Sequence, residues 1–318
     1  MQNEEIMEKL CLRPIVEIPT FFTEHPDGLT IIKNKDSFRV MYPEMVNFNT
    51  LKYHIRNVIK NEPSAIMVTH TNAENSTLSF KEHIKIIKVA IETAGEIPII
   101  AGTGSNSTAE AIELTLAAED LKATAALIPL PYYNRPPIKG VKLHMRTIKK
   151  YAKTIPLIMC LHQERSNSEI NAETVIQLMK EGTIQGLLIE NCERDLITNI
   201  IENHPPNCKV FSSDRLMPAL MSLGAEGVVS SVANFDFARI DKIFQMLKSK
   251  NYNGITGLQN ELQFICATMK HVVRPISLKT ILSILDDQFE ERFRSPLCPM
   301  SQMHKKCLVN MLNHCNIT

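Results

Sequence analysis

The sequence lacks the features that mark several functional classes. Its cysteines include no C-x-x-C pair, so the paired ligands of a zinc finger or ribbon are missing, and free thiols of a reducing compartment are expected. The formal net charge is only +1, and no basic run suggests a nucleic-acid footprint. No apolar run approaches the roughly 20 residues of a membrane span. The acidic start MQNEEIMEKL has no apolar segment of a secretory signal. We therefore expect a cytoplasmic protein without a metal, a cofactor, a nucleic acid or a membrane as partner.

The stretch from Ile97 to Pro137 contains one complete strand–helix–strand unit. It begins with a short apolar run at 97–101 that is bounded by glycine and is typical of a buried strand. Ser107 and Glu110 then predict a capping box, in which each side chain bonds the backbone of the other residue. A helix to about Asp120 and a second apolar run at 123–130 complete the unit. In parallel α/β folds the carboxyl ends of such strands carry the chemistry.

Strand-like runs alternate with helical patterns along most of the chain. The predicted strands lie at 15–19, 65–69, 97–101, 123–130, 156–161, 185–189, 210–212 and 227–231. Eight such units in about 250 residues predict a (β/α)8 TIM barrel, because a doubly wound open sheet usually has fewer strands. From about Asn251 only helical patterns follow. We predict a barrel at 1–234, with an extended connection at 23–47, and a C-terminal helical domain at 235–318.

Several motifs are similar to those of one enzyme family. They are A-G-T-G-S-N-S-T-A-E-A-I at 101–112, P-Y-Y-N-R-P at 131–136, L-G-A-E-G-V-V-S-S-V-A-N at 223–234 and P-I-S-L-K at 275–279. With these motifs the chain resembles the dihydrodipicolinate synthase and N-acetylneuraminate lyase family of pyruvate-handling class I aldolases. The resemblance implies a TIM barrel with a C-terminal helical domain, assembled as a homodimer or homotetramer, and a small keto or carboxylic acid as ligand.

The resemblance also implies a Schiff base between pyruvate and a lysine at the end of the sixth strand. The run at that place is G-L-L-I-E at 186–190, so Leu188 occupies the lysine position. The sequence has no lysine between Lys180 and Lys209, so a small alignment error cannot supply one. Without a primary amine the covalent step has no nucleophile.

Other positions of the family's site are partly kept. Arg165 matches an arginine that would hold a substrate carboxylate, and Thr71 and Tyr133 match two groups of a proton relay. The third relay group, a tyrosine, is replaced by Cys160. The carboxylate-binding loop loses both of its glycines at 70–74, which puts side chains where backbone would approach a ligand. The predicted binding residues are Arg165, Thr71, Asn72, Glu190 and Leu188.

Strand geometry suggests a new cluster at the barrel mouth. Residues two apart on a strand face the same side, so Cys160 and His162 should point together, and Glu190 should share the face of Leu188. Such a Cys-His-Glu group could activate a thiolate or bind a metal, or Cys160 could be a small buried apolar residue. Arg165 could equally form an anion site or an ion pair with Glu164 or Glu190.

Three hypotheses follow from these residues. The first is a family member that has lost lysine-dependent aldol chemistry and binds a small oxo acid. The second is an active lyase or hydratase whose non-covalent acid–base groups are Tyr133, Thr71, Cys160 and His162. The third is a structural or regulatory partner of an active homologue, with the segment at 23–47 acting as a lid or a docking surface.

Overall fold

The computed structural model describes residues 2–25, 28, 30–34 and 37–318. Its strands in chain order are β1 (Ile15–Glu17), β2 (Phe22–Glu24), β3 (Thr30–Asn34), β4 (Ser37–Met41), β5 (Glu44–Val46), β6 (Ala65–Val68), β7 (Ile99–Gly102), β8 (Ala125–Pro129), β9 (Leu157–His162), β10 (Gly186–Asn191), β11 (Lys209–Ser213) and β12 (Gly227–Ser230). The eight strands β1 and β6–β12 form a closed parallel barrel in the order β1-β12-β11-β10-β9-β8-β7-β6. The predicted (β/α)8 barrel is confirmed.

Helices surround the barrel and follow it in the chain. They are α1 (Gln2–Lys9), α2 (Phe48–Ile59), α3 (Phe80–Ala94), α4 (Thr108–Asp120), α5 (Ile138–Tyr151), α6 (Gln163–Ser166), α7 (Ala172–Lys180), α8 (Arg194–Asn203), α9 (Met217–Leu223), α10 (Phe237–Lys248), α11 (Ile255–Met269), α12 (Arg274–Leu285) and α13 (Gln302–His314). The last three form the C-terminal helical part. The boundary at 234/235 stays a prediction. No helix in the described ranges is both long and apolar enough to cross a membrane.

The short N-terminal helix α1 was not predicted. Its residue Met7 and the following Leu10 are fully buried and belong to the same apolar cluster as the inward-facing side chains of the barrel strands. A Cβ atom added at Gly186, on β10, would lie 2.6 Å from the Met7 Cε, so α1 packs directly against this strand. The helix therefore closes the amino-terminal end of the barrel.

The segment at 23–47 forms two antiparallel pairs. Strand β2 pairs with β5, and β3 pairs with β4 beyond them. The base of this segment contacts the C-terminal part, because Arg294 donates to the Glu44 carbonyl oxygen and lies over the ring of Tyr42. Residues 26, 27, 29, 35 and 36 of the predicted lid lie outside the described residues, and its role as a lid or docking surface stays a prediction.

The capping box predicted at Ser107 and Glu110 is wrong in part, whereas α3 begins with a complete box. At the start of α3, Ser79 accepts from the Glu82 amide, and the Glu82 carboxylate accepts from the Ser79 amide, which is the complete box. At the start of α4, Ser107 accepts from the Glu110 amide. The Glu110 carboxylate instead accepts from the Ser105 hydroxyl. The Ser105 hydroxyl, in the preceding turn, therefore takes the place of the Ser107 amide as the donor to Glu110.

A buried ion pair fixes the C-terminal helices on the barrel. Lys279 of α12 is fully buried, and its Nζ lies 2.7 Å from the Oε1 of Glu74, in the loop after β6. Burial lowers the pKa of Lys279 to about 8 even though Glu74 favours its charged form. The ammonium also faces the rings of Phe22 and Phe293. This cluster places the N-terminus of α12 above the barrel mouth.

Candidate active site at the barrel mouth

Two adjoining cavities open at the carboxyl ends of the strands. The first, called the Cys160 cavity, has a volume of about 430 Å³, and its polar lining includes His70, Thr71, Glu74, Tyr132, Cys160, His162, Arg165 and Glu190. The second, called the Lys270 cavity, measures about 350 Å³, and its charged lining is Glu164, Arg165, Glu190, Asp214, Arg215, Lys270 and Arg274. They share His162, Arg165, Glu190 and Val273. A small organic acid fits either volume.

A hydrogen-bonded group of buried polar residues lies at the ends of β1 and β6. The Glu17 carboxylate accepts from the backbone and side-chain amides of Asn72, at 3.1 and 2.6 Å, and lies 2.9 Å from the His70 Nδ1. Burial alone would lower the pKa of His70, but the negative charge of Glu17 outweighs it and raises the pKa above its ordinary value. In the absence of another ligand, His70 therefore tends toward the imidazolium form.

The residue before His70 has an unusual backbone. Thr69 is fully buried and has φ of 55°, in the left-handed region that β-branched residues rarely adopt. Its hydroxyl donates to carbonyl oxygens of Val68 and Gly102, which holds this conformation. Such strain persists where the surrounding structure fixes it, and it commonly lies at functional sites. Here it turns the chain so that His70 points into the barrel mouth.

A second charged group lies at the end of β10. Arg274, at the start of α12, lies 2.8 Å from the Oε2 of Glu190, and the His162 Nε2 lies 3.7 Å from the same oxygen. Burial would raise the pKa of Glu190, but Arg274 and then His70 lower it to about 2. The other oxygen of Glu190, Oε1, makes no hydrogen bond with any residue that the structure describes. The carboxylate is therefore ionised, with one oxygen available to a ligand.

Cys160 and Leu188 lie side by side on neighbouring strands. They are register partners, and both are buried in the cluster that fills the barrel. Burial, and then the charges of Glu190 and Glu17, raise the pKa of the Cys160 thiol well above its ordinary value. A free thiolate is therefore disfavoured, against the predicted possibility of thiolate activation. Leu188 lies beneath the cavity and does not line it.

The structure brings His70 close to Cys160 and Glu190. One ring nitrogen of His70, the Cys160 sulfur and one Glu190 oxygen all lie within 4.8 Å of one another, and all three residues are buried. His162 lines the same cavity, lies 3.7 Å from Glu190, and its Nδ1 is buried without a hydrogen-bond partner among the described residues. His70 therefore joins the predicted group of Cys160, His162 and Glu190.

The other residues predicted for the site differ in their burial and in whether they line a cavity. Arg165 is exposed, lines both cavities and makes no ion pair with Glu164 or Glu190. Thr71 lines the Cys160 cavity, with its hydroxyl 3.4 Å from the His70 Nε2. Asn72 is fully buried against Glu17 and lines neither cavity. Tyr133 is 89% exposed, outside both cavities of its own chain.

Sequence reasoning missed Glu17, His70 as a cluster member, and Arg274. A carboxylate inside the apolar run at 15–19 was a usable signal, because ionised side chains are seldom fully buried without a partner. The pairing of Arg274 with Glu190 had no local signal, because 84 residues separate them.

Comparison with known proteins agrees with the fold. The model of the dihydrodipicolinate synthetase family matches residues 42–315. The chain belongs to this family. The 4-hydroxy-tetrahydrodipicolinate synthase of Methanocaldococcus jannaschii is 33% identical over 293 residues, which cover 91% of this chain and 96% of the relative. The same enzyme of Methanococcoides burtonii is 34% identical over 251 residues, covering 78% and 85%.

Solved structures of the family superpose along nearly the whole chain. The dihydrodipicolinate synthase of Acinetobacter baumannii, in complex with pyruvate, has a TM-score of 0.86 at 30% identity and covers 96% of this chain and 99% of its own. The enzyme of Aquifex aeolicus also has a TM-score of 0.86, at 28% identity, with 96% and 98% covered. These likenesses agree with the (β/α)8 fold and its C-terminal helices.

Proposed function

We propose that this family member binds a small 2-oxo acid or other carboxylic acid in the Cys160 cavity and does not form a lysine Schiff base. The observation that carries the proposal is Leu188, buried beside Cys160 where the family resemblance expects the lysine. Lys209 is the one lysine on the eight barrel strands, and it is the first residue of β11, 3.3 Å from Glu226. No amine on these strands is therefore placed to form an iminium at the mouth.

Arg165 supports an acid as the ligand. It is a guanidinium at the wall of both cavities without a carboxylate partner in the described chain, whereas Arg274 is already held by Glu190. An unpaired arginine can hold a carboxylate through two parallel hydrogen bonds. The neighbouring Lys270 and Arg215 add positive charge on the Lys270 cavity.

The test of the missing amine is borohydride trapping with pyruvate, read by intact-protein mass. The Acinetobacter enzyme, which was solved with pyruvate, serves as the comparison protein in the same reaction. We expect no mass increase on this chain. A covalent adduct on any of its lysines would contradict the proposal.

The test of acid binding is calorimetric titration with pyruvate and longer 2-oxo acids. A hydrogen bond to a charged group contributes about 1.5–3 kcal/mol, so Arg165→Ala should weaken binding by about 10- to 100-fold. Arg146→Ala is the matched control, because Arg146 is an exposed arginine paired with Glu181 on the outer helices. Equal binding by both variants would remove Arg165 from the site.

The second candidate is an active lyase or hydratase that uses non-covalent acid–base chemistry. The synthase names of the curated relatives and the buried Glu17–His70 pair favour it. Thr71, Cys160, His162 and a Tyr133 supplied by another subunit would be the acting groups. Turnover that survives both Cys160→Ala and His162→Ala would exclude this cluster. If acids neither bind nor react, the remaining hypothesis is that the protein is a structural or regulatory partner of an active homologue.

A further inference from the structure

We propose that His70, Cys160 and Glu190 form a binding site for one divalent, thiolate-preferring cation, best suited to Zn²⁺. The three side chains offer a nitrogen, a sulfur and a carboxylate oxygen within 4.8 Å of one another, and all three are buried. Zinc binds each of these ligand types, and its catalytic sites combine three protein ligands with one open position. In a tetrahedral zinc site these atoms would lie about 3.5 Å apart, so small side-chain rotations bring them into place.

The surroundings of His70 match those of a metal-bound histidine. Its Nδ1 lies 2.9 Å from Glu17, and Glu17 is itself held by both amides of Asn72. When Nδ1 donates to this carboxylate, Nε2 presents its lone pair to the cavity. Metal-ligating histidines regularly use a carboxylate in this way, and the partner fixes the tautomer and the ring orientation. The 3.4 Å contact from Nε2 to the Thr71 hydroxyl is long and would be exchanged for the cation.

Glu190, like His70, is held in place by a hydrogen bond with a neighbouring charged residue. Arg274 holds one of its oxygens at 2.8 Å, and the other oxygen has no hydrogen-bond partner in the described part of the chain. Arg274 is also a positive charge beside the site, but Glu17, Glu190 and the Cys160 thiolate together offset it and the cation. Binding releases the thiol proton of Cys160 to solvent, together with any proton on the ligating nitrogen of His70.

The open fourth position faces the Cys160 cavity. His70, Cys160 and Glu190 all line that cavity, and Arg165 lies on its wall. A carbonyl or carboxylate oxygen of a bound acid could occupy this position while Arg165 holds the other end. The cation would then polarise the keto group as a Lewis acid, at the place where a lysine is missing from β10. This last step rests on the proposed function, whereas cation binding does not.

The experiment uses the full chain, stripped with a chelator and titrated with Zn²⁺ and Co²⁺ without any organic acid. We expect one cation per chain and, for Co²⁺, a thiolate-to-metal charge-transfer band. Cys160→Ser should abolish the band, and Glu17→Gln should weaken Zn²⁺ binding by about 10- to 100-fold because it removes the carboxylate partner of His70. Cys208→Ser is the matched control, since Cys208 is a buried free thiol that contacts the Met179 and Ile184 carbonyl oxygens.

Thermal unfolding of each variant shows that it is folded before titration. Stoichiometric binding by wild type and Cys208→Ser, with loss in Cys160→Ser, supports the site. No stoichiometric binding, a bound cobalt without a thiolate band, or unchanged binding by Cys160→Ser overturns it. Pyruvate titration of the stripped protein separates the two proposals. Acid binding without cation binding leaves the proposed function intact, and cation binding without acid binding leaves only the metal site.

Discussion

Single residues determine the charge distribution at this barrel mouth. Four ionisable groups lie there, of which Glu17, His70 and Glu190 are buried and Arg274 is half-buried. Their signs alternate, and each has a partner at 2.8–2.9 Å. Breaking such a pair leaves a buried charge without compensation, which costs more than the pair itself contributes. The barrel mouth is therefore polar, and its positive and negative charges compensate one another.

His54, on α2, makes stability depend on pH. It is buried against Phe21 and Phe289, and burial lowers its pKa to about 4. Between that value and its ordinary pKa of 6.5, the unfolded chain binds a proton that the folded chain does not. The free energy of unfolding should therefore fall by about 3 kcal/mol as the pH decreases through this window.

Urea unfolding at several pH values in this window measures the slope. His54→Phe should reduce it, because the titrating group is removed while the aromatic contacts can remain. His271→Phe, at an exposed histidine, is the control and should leave the slope unchanged. An unchanged slope in His54→Phe would show that another group carries the acid sensitivity.

At the residue scale, the sequence placed Leu188, Cys160 and Arg165 at or near the barrel mouth, but it did not show how the side chains meet. The contact of His70 with Cys160 could not be predicted, because His70 follows the end of β6 whereas His162 ends β9 itself. This contact depends on the backbone turn at Thr69 and on Glu17, which anchors His70.

At the scale of elements, a buried ion pair holds α12 against the loop after β6. The Lys279–Glu74 pair is fully buried, and the Oε2 of Glu74 accepts from the Arg294 amide. Lys279→Met should cost about 3–5 kcal/mol, because it leaves Glu74 charged and buried without its cation. The double variant Lys279→Met/Glu74→Gln should recover part of this loss. A double-mutant cycle on urea unfolding gives the coupling energy, and strict additivity of the two changes would contradict the interaction.

Regular elements could be predicted because buried parallel strands appear as continuous apolar runs. The predicted runs agree with β1 and β6–β12 to within a few residues. Helix α1 could not be found in this way, since its short, acidic sequence is helical only because Met7 and Leu10 enter the barrel. The pairs β2–β5 and β3–β4 lie in a polar connection whose alternation is weak.

At the scale of the whole molecule, one exposed aromatic residue among those that the structure describes has a strained backbone. Tyr133 is 89% exposed and has φ of 64°, a conformation that costs about 1–2 kcal/mol for a bulky residue. We predict a homodimer or homotetramer in which this loop meets a second copy. Tyr133→Ala should raise the dissociation constant at least about 30-fold if the tyrosine is an interface anchor.

Light scattering across a dilution series measures the assembly. Tyr252→Ala, at another exposed tyrosine, is the matched control and should keep the wild-type mass. A monomeric wild-type chain, or equal masses for both variants, would contradict the predicted interface.

The position of helix α1 also affects the order in which the chain folds. It is made before every strand of the barrel, yet the surface that receives Met7 is built from residues as late as Val229. During synthesis this helix therefore remains without its final contacts until the last strand has left the ribosome. Docking of α1 must therefore be among the last steps of folding, because its binding surface is complete only after the barrel has closed.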